Sequence, residues 1–107
     1  IPAGDDAVSI SPDASTLPKK FALYPAYPNP FNPVTTIRFD VGDATADITS
    51  LRIYDITGRN VATLVNEQMD SGNYELNWNA SGHPSGIYFS ELISGSTRLT
   101  QKMVLLK

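Results

Sequence analysis

The sequence predicts an all-β fold, an immunoglobulin-like antiparallel β-sandwich of about seven strands. Three observations lead there. From Phe21 onward, runs of β-forming residues recur at intervals of about 8–12 residues. Clusters of Asp, Ser, Asn and Gly separate these runs, as turns require. No stretch repeats its apolar residues at the period of about 3.6 that marks a buried helix face. With 107 residues, 41% of them hydrophobic, the chain suits one domain with one modest core. A chain of this size buries roughly two-thirds of the surface its unfolded form exposes, so it folds without staples.

The elements follow in order. Residues 1–20 read as a linker. They are rich in Pro, Ser, Ala and Asp and contain no aromatic side chain, so little apolar surface is available to offset the entropy of ordering them. Only the alternation Val8-Ser9-Ile10 offers an edge strand there. The domain proper is 21–107. Phe21–Tyr24 is a short first strand. Thr35–Val41 is the second, with Ile37, Phe39 and Val41 on one face and Thr36, Arg38 and Asp40 on the other. Ile48–Asp55 is the third. Ile48 is out of phase with Leu51 and Ile53, which suggests a bulge near Thr49-Ser50.

Asp55-Ile56-Thr57-Gly58 reads as a turn, because Asp accepts local backbone hydrogen bonds and Gly tolerates positive φ. Asn60–Asn66 returns from it, and Asp70-Ser71-Gly72 turns again. Tyr74, Leu76 and Trp78 then alternate with Glu75, Asn77 and Asn79. The run 86–93, GIYFSELI, is nearly all β-formers, as in a central strand covered on both faces. Ser94-Gly95-Ser96 leads into the last strand, Thr97–Leu106. The expected core is Ile37, Phe39, Leu51, Ile53, Val61, Leu76, Trp78 and Met103.

Composition excludes several function classes. The chain has no cysteine, hence no disulfide, thiolate metal site or thiol nucleophile. Its net charge of −3 leaves no basic patch to hold a phosphate backbone, so nucleic acid is not an expected partner. No apolar run approaches the roughly 18 residues of a membrane span. The chain begins at Ile1 without a leader-like segment and reads as a piece of something larger.

Signals for catalysis and metal binding are weak. His83, the one histidine, sits in the loop Ser81-Gly82-His83-Pro84 and reads as a solvated surface residue. No nucleophile-elbow pattern surrounds a serine. Asp5-Asp6 and Asp40, Asp43 and Asp47 lack the spacing of a calcium loop and read as solvated acids. No cofactor is expected. Exposed aromatics would suit a sugar platform, but Tyr74 and Trp78 share a face with Leu76 and point to the core. Tyr54, out of phase with Leu51 and Ile53, is the better candidate for exposure.

The most distinctive segment is Tyr24–Pro33, with four prolines in ten residues. Prolines fix φ and forbid helix. Asn29 and Asn32 each suit an Asx turn, and Phe31 is an apolar plug. Pro28, Asn29, Pro30, Phe31, Asn32 and Pro33 therefore form either a rigid crossover over one end of the sandwich or a preformed recognition surface. The other unusual segment is the C-terminus. After Glu91 there is no acidic side chain, yet Arg98, Lys102 and Lys107 follow. Lys102, Met103, Val104, Leu105, Leu106 and Lys107 combine that positive charge with an apolar run. Near a sheet edge, such a strand exposes backbone groups that can accept a partner strand. The plainer alternative is that Met103 and Leu105 face the core and the lysines guard the edge.

The run LYPAYPNPFNPVTTIRFDV, then LRIYDITGRNVATLV, then SGNYELNWNASGHPSGIYFSELISGSTRLTQKMVLLK resembles the type A C-terminal sorting domain of the bacterial type IX secretion system. The resemblance covers about residues 21–107. It rests on YPNPFNP followed by TTI, IYDxxGRxV, SGxYxxxW, SGIYF and the terminal KMVLL-Lys in that order. The tyrosine of YPAYPNP just ahead of the PNP, and a single basic residue in Gln101-Lys102, depart from the family's pattern. The resemblance implies a non-catalytic domain at the end of an exported protein. Its partners would be the outer-membrane type IX machinery, a sortase-like peptidase and an upstream cargo domain in the same chain. Its route would be through the periplasm and outer membrane to the cell surface or the medium. Because the family's export depends on an intact C-terminal end, it adds weight to recognition by 102–107. The rival reading is an accessory carbohydrate- or protein-binding module of a secreted enzyme or adhesin.

Overall fold

Eight strands pack as two antiparallel sheets, shown by a computed structural model that describes Ser9–Ile10, residues 20–42 and residues 47–107. They are β1 (Ser9–Ile10), β2 (Ala22–Leu23), β3 (Val34–Val41), β4 (Thr49–Asp55), β5 (Asn60–Glu67), β6 (Gly72–Asn79), β7 (Gly86–Ser94) and β8 (Thr97–Leu105). One sheet has the order β1-β6-β3-β2 and the other β5-β4-β7-β8. No helix forms among the described residues. The arrangement is consistent with an immunoglobulin-like sandwich, and seven of the strands lie within 21–107, as the strand spacing predicts.

Period-two patterning places the core between the sheets. Strand β6 alternates without a break: Tyr74, Leu76 and Trp78 are buried, while Asn73, Glu75, Asn77 and Asn79 are exposed. Beside it in the same sheet, on β3, Ile37 and Phe39 are fully buried, and the Phe39 ring stacks on Tyr74 at 5.5 Å between centroids. The second sheet contributes Leu51, Ile53, Leu92, Met103 and Leu105. The two inner faces interdigitate into one apolar layer, the main favourable term in the fold.

Several expectations need correction. Strand β7 is central in its sheet, yet only Tyr88, Ser90, Leu92 and Ser94 are buried. Ile87, Phe89, Glu91 and Ile93 are half-exposed on the outer face, because no further layer covers it among the described residues. Ile48 is exposed simply because β4 begins one residue later, with Thr49 facing inward. The irregularities in this region lie further along, where the pairing of β4 with β5 shifts between Leu51 and Arg52 and again between Ile53 and Tyr54. Leu64 and Val61 are the extra residues on β5. They break its alternation, so Val61 is only half-buried and Val65 is the β5 residue in the core. Tyr54 is half-buried on the outer face. Most of the segment expected to be a linker lies outside the described residues. Ser9–Ile10 within it pairs with Glu75 and Tyr74 as an edge strand.

The β4–β5 turn forms as its residues predict. Gly58 adopts φ of +87°, a region that L side chains rarely occupy. Asp55 Oδ1 accepts from the Thr57 amide at 2.9 Å, the Thr57 hydroxyl at 2.6 Å and the Arg59 amide at 3.1 Å. Arg59 Nε also lies 3.4 Å from Asp55 Oδ2. The Thr57 hydroxyl chiefly, helped by the backbone amides and the Arg59 charge, holds the Asp55 pKa below the ordinary carboxylate value. A lowered value means that the carboxylate supports the turn at pH above the ordinary carboxylate range. That support fades as pH falls through the lower pKa of Asp55. Carbon-detected NMR titration is expected to find Asp55 below the free-carboxylate value, and Thr57→Val should move it upward. An unchanged titration in the variant would remove the hydroxyl as the main cause.

Candidate functional site

The two segments singled out by sequence meet at one end of the sandwich. The crossover leaves β2 and keeps pairing with β3. Tyr24 N–H donates to the Arg38 carbonyl at 3.0 Å, and Tyr27 exchanges backbone hydrogen bonds with Thr36 at 3.0 and 2.9 Å. The Tyr27-Pro28, Asn29-Pro30 and Asn32-Pro33 peptide bonds are cis. The Thr35 hydroxyl donates to the Pro28 carbonyl at 2.8 Å, and Ala80 N–H donates to the Pro33 carbonyl at 2.9 Å. The segment is thereby anchored to β3 and to the loop after β6, and its middle reaches across to β8.

It reaches there through Asn29 and Phe31. Asn29 Nδ2 donates to the Lys102 carbonyl at 3.1 Å, and Asn29 Oδ1 accepts from Val104 N–H at 2.9 Å. Phe31 N–H then donates to the Val104 carbonyl at 2.9 Å, and Leu106 N–H donates to the Phe31 carbonyl at 3.0 Å. Phe31 and Leu105 thus form a parallel bridge. The expected local Asx turn at Asn29 does not form. Its amide presents an N–H donor and a carbonyl acceptor, spaced like those of a peptide group, to the edge of β8. Asn32 remains exposed.

Phe31 is 2% exposed and packs into an aromatic cluster. Its ring lies 5.7 Å from Trp78, which in turn meets Tyr88 edge-on at 5.5 Å. His83 joins them, 5.7 Å from Trp78 and 6.2 Å from Tyr88. The expectation of a solvated His83 is corrected: the residue is half-buried, because the loop after β6 folds back over Trp78. Tyr88 fixes the neighbouring turn by donating its hydroxyl to the Pro84 carbonyl at 2.6 Å, and burial raises its pKa. Tyr74 does the same at the other end of β6, donating to the Asp70 carbonyl at 2.7 Å. With Tyr74, Trp78 and Tyr88 all buried, these rings offer no platform for a sugar.

The chain end is held as well. Lys107 N–H donates to Ser85 Oγ at 2.9 Å, and Lys107 Nζ to the Ser81 carbonyl at 2.6 Å. Gln101 Nε2 donates to the Leu23 carbonyl at 3.0 Å, linking β8 to β2 across the side of the sandwich. Of the twelve residues predicted for recognition, Phe31, Met103 and Leu105 are buried and belong to the core. Pro33 and Val104 are half-buried. Pro28, Asn29, Pro30, Asn32, Lys102, Leu106 and Lys107 are exposed and share one end of the molecule. The joining of the two segments was not readable from sequence, because Asn29 and Val104 are 75 residues apart.

Among the described residues, acidic side chains do not gather into a metal site. Asp40 accepts from the Tyr24 hydroxyl and from Asn73 Nδ2, and Asp5, Asp6 and Asp43 lie outside the described residues. Among the described residues, no group of three or more potential metal ligands comes together.

Comparison with known families gives a match. A family model described as the secretion system C-terminal sorting domain matches residues 25–106. Neither the curated proteins nor the solved structures contain a match to this chain.

Two outcomes test the geometry. Trp78→Ala is expected to cost about 3–5 kcal/mol in urea denaturation, as large aromatic truncations in a core do. A loss below about 1 kcal/mol would mean the ring is dispensable to packing. Asn29→Ala should speed hydrogen exchange at the Val104 amide while leaving the Leu92 amide, deep in β7, protected. Equal rates at Val104 in variant and wild type would show that Asn29 does not seal that edge.

Proposed function

Since the chain belongs to the family of type IX secretion C-terminal sorting domains, we propose that it sends the protein it terminates to the cell surface or the medium. The observation that carries the reading is the family match over residues 25–106. The family is one of sorting signals and not of catalysts, so the domain acts by being recognised. In this reading the outer-membrane secretion machinery binds the folded sandwich. A sortase-like peptidase then cuts upstream of Phe21, within the linker-like residues 1–20, and separates cargo from signal.

The recognition surface we favour is the composite end formed by Pro28–Pro33 and Lys102–Lys107. What supports it is the direct bonding of the two segments through Asn29 and Phe31. A partner touching one necessarily senses the other. Its exposed chemistry is cationic and apolar, from Lys102, Lys107 and the 55%-exposed Leu106. The half-buried and buried members, Pro33, Phe31, Met103, Val104 and Leu105, would hold that surface in shape.

The test places a reporter with an inner-membrane export signal in front of the whole chain, in a bacterium that has the secretion machinery. The reporter should appear outside the cell, ending upstream of Phe21 by mass spectrometry, and should stay in the periplasm when the domain is removed. Equal export without the domain would defeat the proposal. Deleting Val104–Lys107 is expected to block export, but it also removes the buried Leu105 and the bond from Leu106 to Phe31. Lys102→Glu is the cleaner variant, since its side chain is exposed: export should fall while the melting temperature holds.

A further inference from the structure

Strand β8 is the last in its sheet, and its free edge is only partly covered. The groups bonded by Asn29 and Phe31 belong to Lys102, Val104 and Leu106. Backbone groups alternate sides along a strand, so Arg98 and Thr100 point to the same free edge. The odd-numbered residues between them point to β7, with which β8 pairs without a register shift from Thr97 to Leu105. Among the described residues, no hydrogen bond reaches the backbone of Arg98 or Thr100 from that free side, nor the amide of Lys102. The open window ends where Asn29 begins.

Among the described residues the other edges are short or irregular, the two-residue β1 included. Strand β5 carries two register shifts, and β2 is two residues long before it enters the proline-rich segment. Bulges and short edge strands are standard protections against unwanted pairing. The Arg98–Lys102 window pairs with β7 without a register shift, and although the Gln101 side chain ties its inner side to the Leu23 carbonyl of β2, its outward backbone groups are guarded only by charge. We propose that it is a docking site for an extended, acidic segment of a partner protein, which adds to the sheet as a further strand.

The charge pattern selects that occupant. Arg98, Thr100 and Lys102 project together from the outer face and are exposed. Arg98 has one acidic neighbour, Glu91, at 3.4 Å from its Nε, and its side chain remains 70% exposed. Lys102 makes no ion pair among the described residues. A partner strand with carboxylates at alternate positions would meet both cations, and opposite charges across strands are favourable. A second copy of this chain fits poorly. Antiparallel pairing of two such edges about Thr100 sets Arg98 of each copy opposite Lys102 of the other, which places like charges face to face. On the inner side, the half-buried Leu99 leaves apolar surface for an inward side chain of the added strand. Backbone pairing of this type gives affinity with little demand on partner sequence beyond alternation. The inference rests on the sorting reading and identifies how that recognition would begin.

Thr100→Pro tests it in the reporter assay. Proline removes an outward N–H that makes no internal bond, which an edge strand tolerates, and it blocks an incoming strand. Thr100→Val keeps the N–H and is the control. Export is expected to fall about tenfold or more with Thr100→Pro, equivalent to at least about 1.4 kcal/mol of binding. Thr100→Val should export as wild type, and both should melt like wild type. Arg98→Glu combined with Lys102→Glu leaves the backbone intact and should also lower export, so the inference stays testable if the proline variant unfolds. Normal export by folded Thr100→Pro, or by the double charge reversal, would overturn the docking site while the sorting reading stands. A dimer in sedimentation that Thr100→Pro abolishes would also overturn it, by making a second copy the occupant. Failure of the wild-type domain to export the reporter would remove the sorting reading and this inference together.

Discussion

Everything at the end of the domain where the proline-rich crossover meets β8 depends on how the last strand's edge is closed. A β-sheet edge is a row of donors and acceptors that must find partners in water or in protein. Here the far half of the β8 edge is satisfied by four hydrogen bonds, two from the Asn29 side chain and two from the Phe31 backbone. The same Phe31 that supplies the backbone bonds places its ring against Trp78. One short segment therefore closes the sheet and caps the core together. The polar bonds fix where the ring enters, and the buried ring keeps the polar bonds out of competition with water.

That closure turns two remote stretches of sequence into one surface. The crossover after β2 and the end of β8 would otherwise be a loop and a tail. Joined, they inherit the rigidity of the sandwich, with Gln101 and Lys107 adding ties to β2 and to the loop over Trp78. A sorting signal benefits from this arrangement in a simple way. An exposed tail would be ordered only on binding and would weaken the complex by its ordering entropy, whereas a pre-ordered end avoids that loss. The rigid end also means that only the folded state presents this surface, and an unfolded copy would not.

Much of this architecture was legible in sequence because strand periodicity is local. Alternation in Thr35–Val41 and in Tyr74–Asn79 identified their buried faces, including Trp78, and Asp55 with Gly58 identified their turn. The misreadings share one cause, which is that pairing and packing partners, and not residue type, decide the outcome. The run Gly86–Ile93 reads as doubly buried, but apolar composition cannot reveal that no layer lies outside Phe89. Val61 carries the right residue type, yet a bulge on β5 leaves it half-buried at the margin of the core. Asn29 has the short-range signature of a turn former. The partner it takes is on β8, and a single sequence contains no record of that meeting. Within the candidate site, residue identity was legible and partnership was not.

Asn29 has one further consequence, and it concerns chemical ageing. An asparagine deamidates chiefly when the backbone nitrogen of the next residue attacks the side-chain carbonyl and ammonia leaves. The product here would replace the Nδ2 donor with a carboxylate oxygen facing the Lys102 carbonyl, an acceptor against an acceptor, and the edge would open. Asn29 and Asn32 are each followed by proline, whose ring nitrogen has no N–H to lose and cannot form that cyclic intermediate. None of the other asparagines in the chain precedes glycine, the neighbour least able to obstruct the attack. The Asn-Pro pairs therefore make the one side chain that closes the sheet durable over the life of the protein, a protection encoded by the residue that follows it.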